Sequence, residues 1–451
     1  MNIVIVGDGK VGHSLSEQLC SEEHEVTIID SNPRILTVTA DVLDVNVVSG
    51  NGASMEVQKQ AGVPSSDLLI AATSSDEMNM VCCMVAKKLG ADHTIARIRN
   101  PEYQDQMRML ENELNLSLSI NPELATAAEI SRLIRFPAAL RMDTFVRGRV
   151  ELIEFKIREG SPIIGRCLKD MPKISDAKVL ICAVDRQDEV TIPNGDFRLE
   201  LGDKIHITGD IKEIQKFLRS IGKIEQKIKS VMLLGGGKIS IYLAKMLEQM
   251  NIQVTVIEIN EEKCRRLCEL LPNVTIIHGD GTDQEVLESA GLSNMGAFVA
   301  LTDIDEENMV TSMYAVDENV QKVITKINRM NYMGILHKMG IDSVVSPKVI
   351  TANQIVRYVR AMQNTMGSAV QTLYRIVNDK AEALEFKADA NTKFLGRTLM
   401  EVPIQKNLLI ATIVRGGRII IPGGRDSIHK GDSIIVVTAN KGLQDINDIF
   451  D

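Results

Sequence analysis

Tryptophan is missing from this chain of 451 residues, and it has only 9 phenylalanines and 6 tyrosines. Proteins that hold single-stranded nucleic acid stack bases on aromatic faces, and this chain offers few of them. Cationic excess is missing too. Lys and Arg total 51 against 60 Asp and Glu, a net charge of −9, which argues against nucleic acid and anionic lipid as main partners. No apolar run reaches the roughly 20 residues that a membrane span requires. The first residues enter a strand without a basic leader segment, so no secretory signal is expected. Seven cysteines form no CxxC pair. Cys264 and Cys268, four apart on a predicted helix, are expected to face one way, and buried or idle thiols of a reducing compartment are expected. GxSxG, a phosphate-loop lysine motif and HxxxH spacing are all absent, so no catalytic set is visible. His13 directly follows Gly12 and either lies near a bound phosphate or faces solvent.

One pattern is present twice. Val4-Ile5-Val6-Gly7-Asp8-Gly9-Lys10-Val11-Gly12 opens the chain, and Val231-Met232-Leu233-Leu234-Gly235-Gly236-Gly237-Lys238-Ile239-Ser240 opens its second half. Each block is an apolar strand, a glycine turn and the start of an amphipathic helix. An acid, Asp30 or Glu258, lies 23 residues beyond the first glycine in both. Further strands are predicted at 26–30, 45–48, 68–72 and 94–98, and again at 254–258, 274–277, 297–301 and 323–327. Short continuous apolar strands separated by helices predict parallel sheets covered on both faces. Pro122 is placed to open a helix to about Arg135.

A β-rich segment follows each unit. Val150 to about Lys223 contains Gly165, Leu168, Pro172, Pro193 and Gly202. The stretch from about Leu373 contains Gly396, Leu399, Pro403, Pro422 and Gly431. Equivalent glycine-turn, strand and Pro/Gly positions lie 228 to 231 residues apart, a period that marks a duplication. The expected plan is two tandem Rossmann-like α/β domains at 1–135 and 229–350, each followed by a small α+β module, at 140–223 and 370–451. Residues 223–229 form a charged connector.

Gly7, Gly9 and Gly12 make a complete GxGxxG between strand and helix. The first glycine permits the tight turn, the second lets a pyrophosphate approach the backbone, and the third lets helix and strand pack closely. The N–H groups of Asp8, Lys10 and Val11 join the helix dipole there. Asp30 stands where an acid accepts both ribose hydroxyls and repels a 2′-phosphate, so NAD is favoured over NADP; ATP, ADP or AMP satisfies the same groups. In the second unit Gly235, Gly237, Lys238, Ile239 and Glu258 repeat the arrangement. Ser240 replaces the third glycine, so helix and strand are expected slightly farther apart. Asn51 and Asp280, in Gly50-Asn51-Gly52 and Gly279-Asp280-Gly281, follow the third strands. They either touch an adenine edge or form ordinary turns. Thr73 and Thr302 follow the fourth strands, as ligand contacts or as parts of helix caps. Arg97 and Lys326 end the fifth strands and reach either a terminal phosphate or a neighbouring carboxylate.

These motifs, with Ala71-Ala72-Thr73, Asp76, Asn79 and Ala96-Arg97-Ile98, resemble the regulator of K⁺ conductance (RCK) family over nearly the whole chain. The resemblance implies two RCK N domains, each followed by an RCK C domain, and no enzymatic activity. It implies a tetramer forming a gating ring under a TrkH-like potassium channel membrane subunit. It further implies NAD(H), with ATP or ADP as alternative ligands of the same clefts, and a cytoplasmic location on the inner face of the membrane. Helices near 101–145 and 330–365 would pair the units. An NAD-dependent oxidoreductase and a nucleotide sensor for another transporter are the alternative readings.

Overall fold

Strand-forming runs of Val, Ile and Leu alternate with amphipathic helices along the first 135 residues, and they fold as that alternation dictates. The computed structural model describes the chain apart from residues 147, 148, 188, 223–226, 342, 366–369, 377–379, 441, 444 and 451. The connector predicted at 223–229 therefore lies largely outside the described residues. The chain divides into two compact units: residues 1–131 with 228–356, and 132–227 with 357–451.

The first Rossmann-like domain runs β1 (Asn2–Val6), α1 (Lys10–Ser21), β2 (Glu25–Asp30), α2 (Pro33–Val42), β3 (Asn46–Ser49), α3 (Met55–Gln60), β4 (Leu68–Ala71), α4 (Asp76–Leu89), β5 (His93–Arg97), α5 (Met107–Glu113), β6 (Leu118–Ile120) and α6 (Pro122–Arg135). Its sheet is parallel in the order β3-β2-β1-β4-β5-β6, the order of a dinucleotide-binding fold. β1 and β4 are buried on both faces, which is why they read as unbroken apolar runs. β6 is a three-residue strand that sequence patterning missed.

The first α+β module contains β7 (Arg141–Phe145), β8 (Val150–Lys156), β9 (Val179–Arg186), β10 (Glu189–Thr191), β11 (Lys204–Gly209) and α7 (Ile211–Ser220). Residues 141–145 are thus a strand, and the pairing helices expected near 101–145 end at Arg135. Met142 and Phe145, three apart, are both buried, so the strand buries one residue on each of its faces instead of alternating strictly.

The second Rossmann-like domain comprises β12 (Ser230–Leu234), α8 (Lys238–Gln249), β13 (Gln253–Glu258), α9 (Glu261–Leu270), β14 (Thr275–His278), α10 (Gln284–Ser289), β15 (Ala297–Ala300), α11 (Asp305–Asp317), β16 (Lys322–Lys326), α12 (Met333–Lys338), β17 (Ser343–Val345) and α13 (Pro347–Thr365). Its parallel sheet repeats the first, in the order β14-β13-β12-β15-β16-β17. The second α+β module has β18 (Val370–Ile376), β19 (Ala381–Lys387), β20 (Leu408–Arg415), β21 (Arg418–Ile420) and β22 (Ser433–Thr438). Its order β18-β19-β22-β20-β21 matches β7-β8-β11-β9-β10 of the first module.

Within the first unit each parallel sheet packs a cluster of its own on one face. Val4, Leu69 and Ala96 lie in one, and Met232, Phe298 and Ala300 in the other. Tyr242 on α8 links the two domains. Its hydroxyl donates to the Arg99 carbonyl (3.2 Å) and accepts from Asn121 Nδ2 (2.9 Å). Within the second unit the two modules share a core of Leu152, Cys182, Ala383 and Ile435.

Candidate functional site

Both glycine turns stand at the carboxyl ends of β1 and β12, where ligands enter an open parallel sheet. The fold itself demands two of the three glycines in the first turn. Gly7 has φ +97°, and a Cβ there would sit 3.0 Å from the Thr73 nitrogen. A Cβ on Gly12 would lie 1.8 Å from the Gly7 carbonyl oxygen. Gly9 is different. Its backbone is extended, at φ −74° and ψ −172°, and no described neighbour lies within 4 Å of where its Cβ would stand. Gly237 repeats this at φ −74° and ψ −177°, again facing open space. A side chain is thus kept out of the same space twice, with no described neighbour to account for it. That space adjoins the helix N-terminus, where backbone N–H groups and the dipole favour an anion. The residues fit the phosphates of a nucleotide.

The acids after the second strands hold the turns in shape. Asp30 Oδ2 accepts from the Asp8 amide (2.7 Å) and Oδ1 from the Asn32 amide (2.8 Å). Glu258 does the same for Gly236 (2.8 Å) and Asn260 (2.9 Å). Each carboxylate oxygen keeps a second acceptor position, the requirement for a ribose hydroxyl. Asp30 is half-buried and Glu258 is buried.

The loop after the fourth strand is stapled to the end of the fifth by an asparagine. Asn79 Oδ1 accepts from the Thr73 amide (2.8 Å) and hydroxyl (2.7 Å), while its Nδ2 donates to the Arg97 carbonyl (2.8 Å). Asn308 repeats this with Thr302 (2.9 Å for both) and the Lys326 carbonyl (3.1 Å). The backbone of Thr73 is thereby pressed against Gly7, and that of Thr302 against Gly235. The Thr73 and Thr302 hydroxyls are engaged within these staples; the cap of α4 is Ser75, whose hydroxyl accepts from the Met78 amide. Asp76 receives the amides of Arg99 and Asn100, both at 2.8 Å, and Asp305 receives those of Asn328 (3.0 Å) and Arg329 (2.8 Å).

Several predicted contacts resolve to structural roles here. Asn51 Oδ1 accepts from the Ala53 amide (2.9 Å), and Asp280 Oδ1 from the Thr282 amide (2.9 Å) and hydroxyl (2.7 Å). Both side chains are exposed and close ordinary turns. Arg97 faces Glu123 on α6 at 3.9 Å, and burial pulls its pKa down from the ordinary value. Burial likewise pushes the Glu123 carboxyl up. Lys326, buried, pairs with Asp303 at 3.1 Å; that lysine, foremost, holds the Asp303 carboxyl below its usual range. Lys10 and Val11 open α1, and Lys238 and Ile239 open α8. Both lysines are exposed. At Ser240 the side chain is fully buried and its hydroxyl donates back to the Gly235 carbonyl, the equivalent of the atom that a Cβ on Gly12 would strike in the first turn.

Asp8, expected at the nucleotide turn, also has a buried side chain whose partners the sequence does not announce. The Asp8 side chain, buried, accepts from the Thr39 hydroxyl of α2 at 2.5 Å and lies 3.6 Å from His13 Nδ1. Burial pushes its carboxyl up from the ordinary value. Gly236 stands in its place in the second turn, where a Cβ would meet Leu267 Cδ1 at 2.4 Å. Cys264 and Cys268 do not share an environment: Cys264 is buried with its thiol on the Glu258 carbonyl (3.4 Å), and Cys268 is exposed. Four residues turn a helix by more than a full revolution, enough to carry the second thiol off the buried face. Among the described residues no group of His, Cys, Asp and Glu is placed to hold a metal ion, and no helix is long and apolar enough to cross a membrane.

Comparison with known proteins agrees with this duplicated geometry. The TrkA-N domain profile matches residues 3–116 and 231–347, and the TrkA-C domain profile matches 152–222 and 383–451. The chain is 32% identical to Trk system potassium uptake protein TrkA homolog 1 of Methanosarcina mazei, over the full length of both. It is 31% identical to Trk system potassium uptake protein TrkA of Vibrio alginolyticus, across all of this chain and 98% of the other. Among solved structures, the GsuK channel bound to NAD superposes with a TM-score of 0.64 at 17% identity, covering 97% of this chain and 76% of that one. The GsuK RCK domain gives 0.63 at 16% identity, covering 97% and 92%.

Proposed function

The chain belongs to the TrkA family of Trk potassium-uptake proteins, and from that premise we propose that it is a non-enzymatic, nucleotide-sensing regulatory subunit. In this reading four chains form a gating ring on the cytoplasmic side of a TrkH-like membrane subunit. Each chain supplies two adenine-nucleotide clefts, and the modules are bounded at 1–135, 140–223, 229–350 and 370–451.

The observation that carries the reading is the empty space at Gly9 and Gly237. Each turn gives up a side chain that the folded protein has room for, beside a helix N-terminus that attracts phosphate. Gly7, Gly9 and Gly12, with the amides of Asp8, Lys10 and Val11, would hold the pyrophosphate of NAD(H) or the phosphates of ATP or ADP. Asp30 would take the ribose hydroxyls. Gly235, Gly237, Lys238, Ile239 and Glu258 would do so in the second cleft. The GsuK structures bound to NAD and to ADP support both ligand classes on a related fold. A ligand regulates only by binding one state of the protein better than another. Tenfold discrimination is worth about 1.4 kcal/mol per site, so several sites acting together shift a channel substantially.

Calorimetric titration of the full chain with NADH, NAD, ATP and ADP tests the reading. Two saturable sites per chain are expected, with no turnover of NADH. A single site would make the second half structural, and no binding would refute the sensor. Potassium flux through vesicles holding the TrkH-like subunit should then respond to the bound nucleotide.

A further inference from the structure

α2 carries apolar residues on two faces. Leu36 points inward and is buried, as an amphipathic helix over a sheet requires. Ile35, Val38 and Val42, spaced three and four apart, form a second stripe that faces outward. Val38 is 63% exposed and Val42 71%. Val47 of the adjacent edge strand β3 is exposed as well. Isolated surface valines need no explanation, but a row of them on one helix marks an interaction site. The duplication provides an internal control. The same three positions on α9 are Lys263, Arg266 and Leu270, and Arg266 is engaged with Glu102 at 3.2 Å. The fold therefore does not require the stripe; only the first repeat has it.

The charges around the stripe say what covers it. Asp41 and Asp44 are exposed at the end of α2 nearest Val42. The end of α1 is brought beside them, Cys20 Sγ lying 3.7 Å from the Asp44 carbonyl oxygen, and Glu23 and Glu25 are exposed just beyond. Arg34, at the opposite end of α2, is the one basic side chain on that helix. An apolar stripe bordered by acids fits an apolar segment flanked by Lys and Arg. Short cytoplasmic loops of polytopic membrane proteins supply the basic part of that match, because Lys and Arg are retained on the cytoplasmic side.

We propose that the outer face of α2, with its acidic border, is the surface by which this chain docks on a basic cytoplasmic loop of its membrane subunit. The proposal rests on the regulatory-subunit reading given above. The acids would steer the encounter and fix its register, and the stripe would be buried on contact.

The test is co-sedimentation of the full chain with vesicles holding the TrkH-like subunit, alongside protein-free vesicles of mixed neutral and anionic lipid. Val38→Glu with Val42→Glu changes only exposed side chains. It should lower affinity at least tenfold while leaving nucleotide binding and assembly size as in the native chain. Asp41→Lys with Asp44→Lys should weaken binding and flatten its salt dependence. Native-like binding by both variants overturns the docking surface and leaves the regulatory reading intact. A changed assembly size in the valine variant assigns the stripe to a second copy of this chain and overturns it. Equal binding to protein-free vesicles assigns it to lipid and also overturns it. Failure of the native chain to bind subunit-containing vesicles refutes the regulatory reading, and this proposal with it.

Discussion

Replacing Gly9 with valine separates what the fold needs from what a ligand needs. At φ −74° and ψ −172° valine is unstrained, and its Cβ meets no described atom within 4 Å. Gly9 is also the N-cap of α1, with no side-chain cap bond to lose. An apolar residue at an N-cap costs roughly 0.5–1 kcal/mol relative to glycine, and restricting the unfolded backbone returns roughly 0.4–1 kcal/mol. The two offset, so Gly9→Val should melt within a few degrees of the native chain. Ligand binding should respond differently. A pyrophosphate held off the backbone forfeits charge-assisted hydrogen bonds worth about 1.5–3 kcal/mol each, so one lost bond alone weakens the first site by about tenfold or more. Gly12→Ala is the contrasting variant: its Cβ would overlap the Gly7 carbonyl oxygen at 1.8 Å, and forced repacking of that kind costs about 1–3 kcal/mol. Thermal melts without ligand, paired with calorimetric titration of NADH and ATP, read both quantities. Gly9→Val should stay folded and lose one site per chain; with Gly237→Val added, both should go. Full stoichiometry at native affinity, or unfolding comparable to Gly12→Ala, would refute the reasoning.

Asp30→Ala strands the amides of Asp8 and Asn32, which should cost about 1–3 kcal/mol of stability. It should also weaken NADH binding at the first site more than tenfold, measured with the second site blocked by Gly237→Val; an unchanged NADH affinity sinks the ribose assignment. Tyr242→Phe removes the hydroxyl between Arg99 and Asn121. A double-mutant cycle with Asn121→Ala should show a coupling of at least about 0.5 kcal/mol, and additive losses would mean that the hydrogen bond holds nothing together. The Cys182 thiol is pushed up to about 12 by burial, from an ordinary value of 9.0. Between those values the folded chain keeps a proton that the unfolded chain releases. Its contribution is therefore complete below pH 9 and is lost as pH rises toward 12, at no more than about 1.4 kcal/mol per pH unit. Urea unfolding at pH 8 and pH 10 should show a steeper loss for the native chain than for Cys182→Ser, and parallel losses would contradict the burial argument.

The fold was largely legible because a parallel sheet buried on both faces writes itself as short apolar runs, and because every run occurs twice. What escaped was short or context-dependent. β6 and β17 have three residues each and complete their sheets only by pairing with β5 and β16. Residues 141–145 lack the alternation of a strand, their buried Met142 and Phe145 standing three apart, and they follow a helix without an intervening glycine signal. The duplicated modules also diverge where periodicity is weakest: the first ends in α7, whereas the second closes with the turn Ile446–Ile449, which packs into the core with Phe450.

The site was legible to different depths, and the glycines show why. A glycine demanded by φ, as at Gly7, and one demanded by contact, as at Gly12, look the same in a sequence as one demanded by no described neighbour, as at Gly9. Only the coordinates distinguish them, and only the last points to a ligand. The charged positions present the same difficulty. Arg97 and Lys326 occupy equivalent strand ends, yet Arg97 faces Glu123 from the following helix and Lys326 faces Asp303 from the preceding loop. Those carboxylates sit at unrelated places in the two repeats, so no period in the sequence announces them. The carboxylate that faces each cation therefore comes from a different element in each repeat. On the proposed sensor reading, a phosphate that reached these cations would compete with Glu123 on α6 in the first cleft and with Asp303 on the β15–α11 loop in the second. In that reading the two clefts share a backbone and differ in what a nucleotide would displace, so one scaffold used twice would present two distinct sites to the same pool of nucleotides.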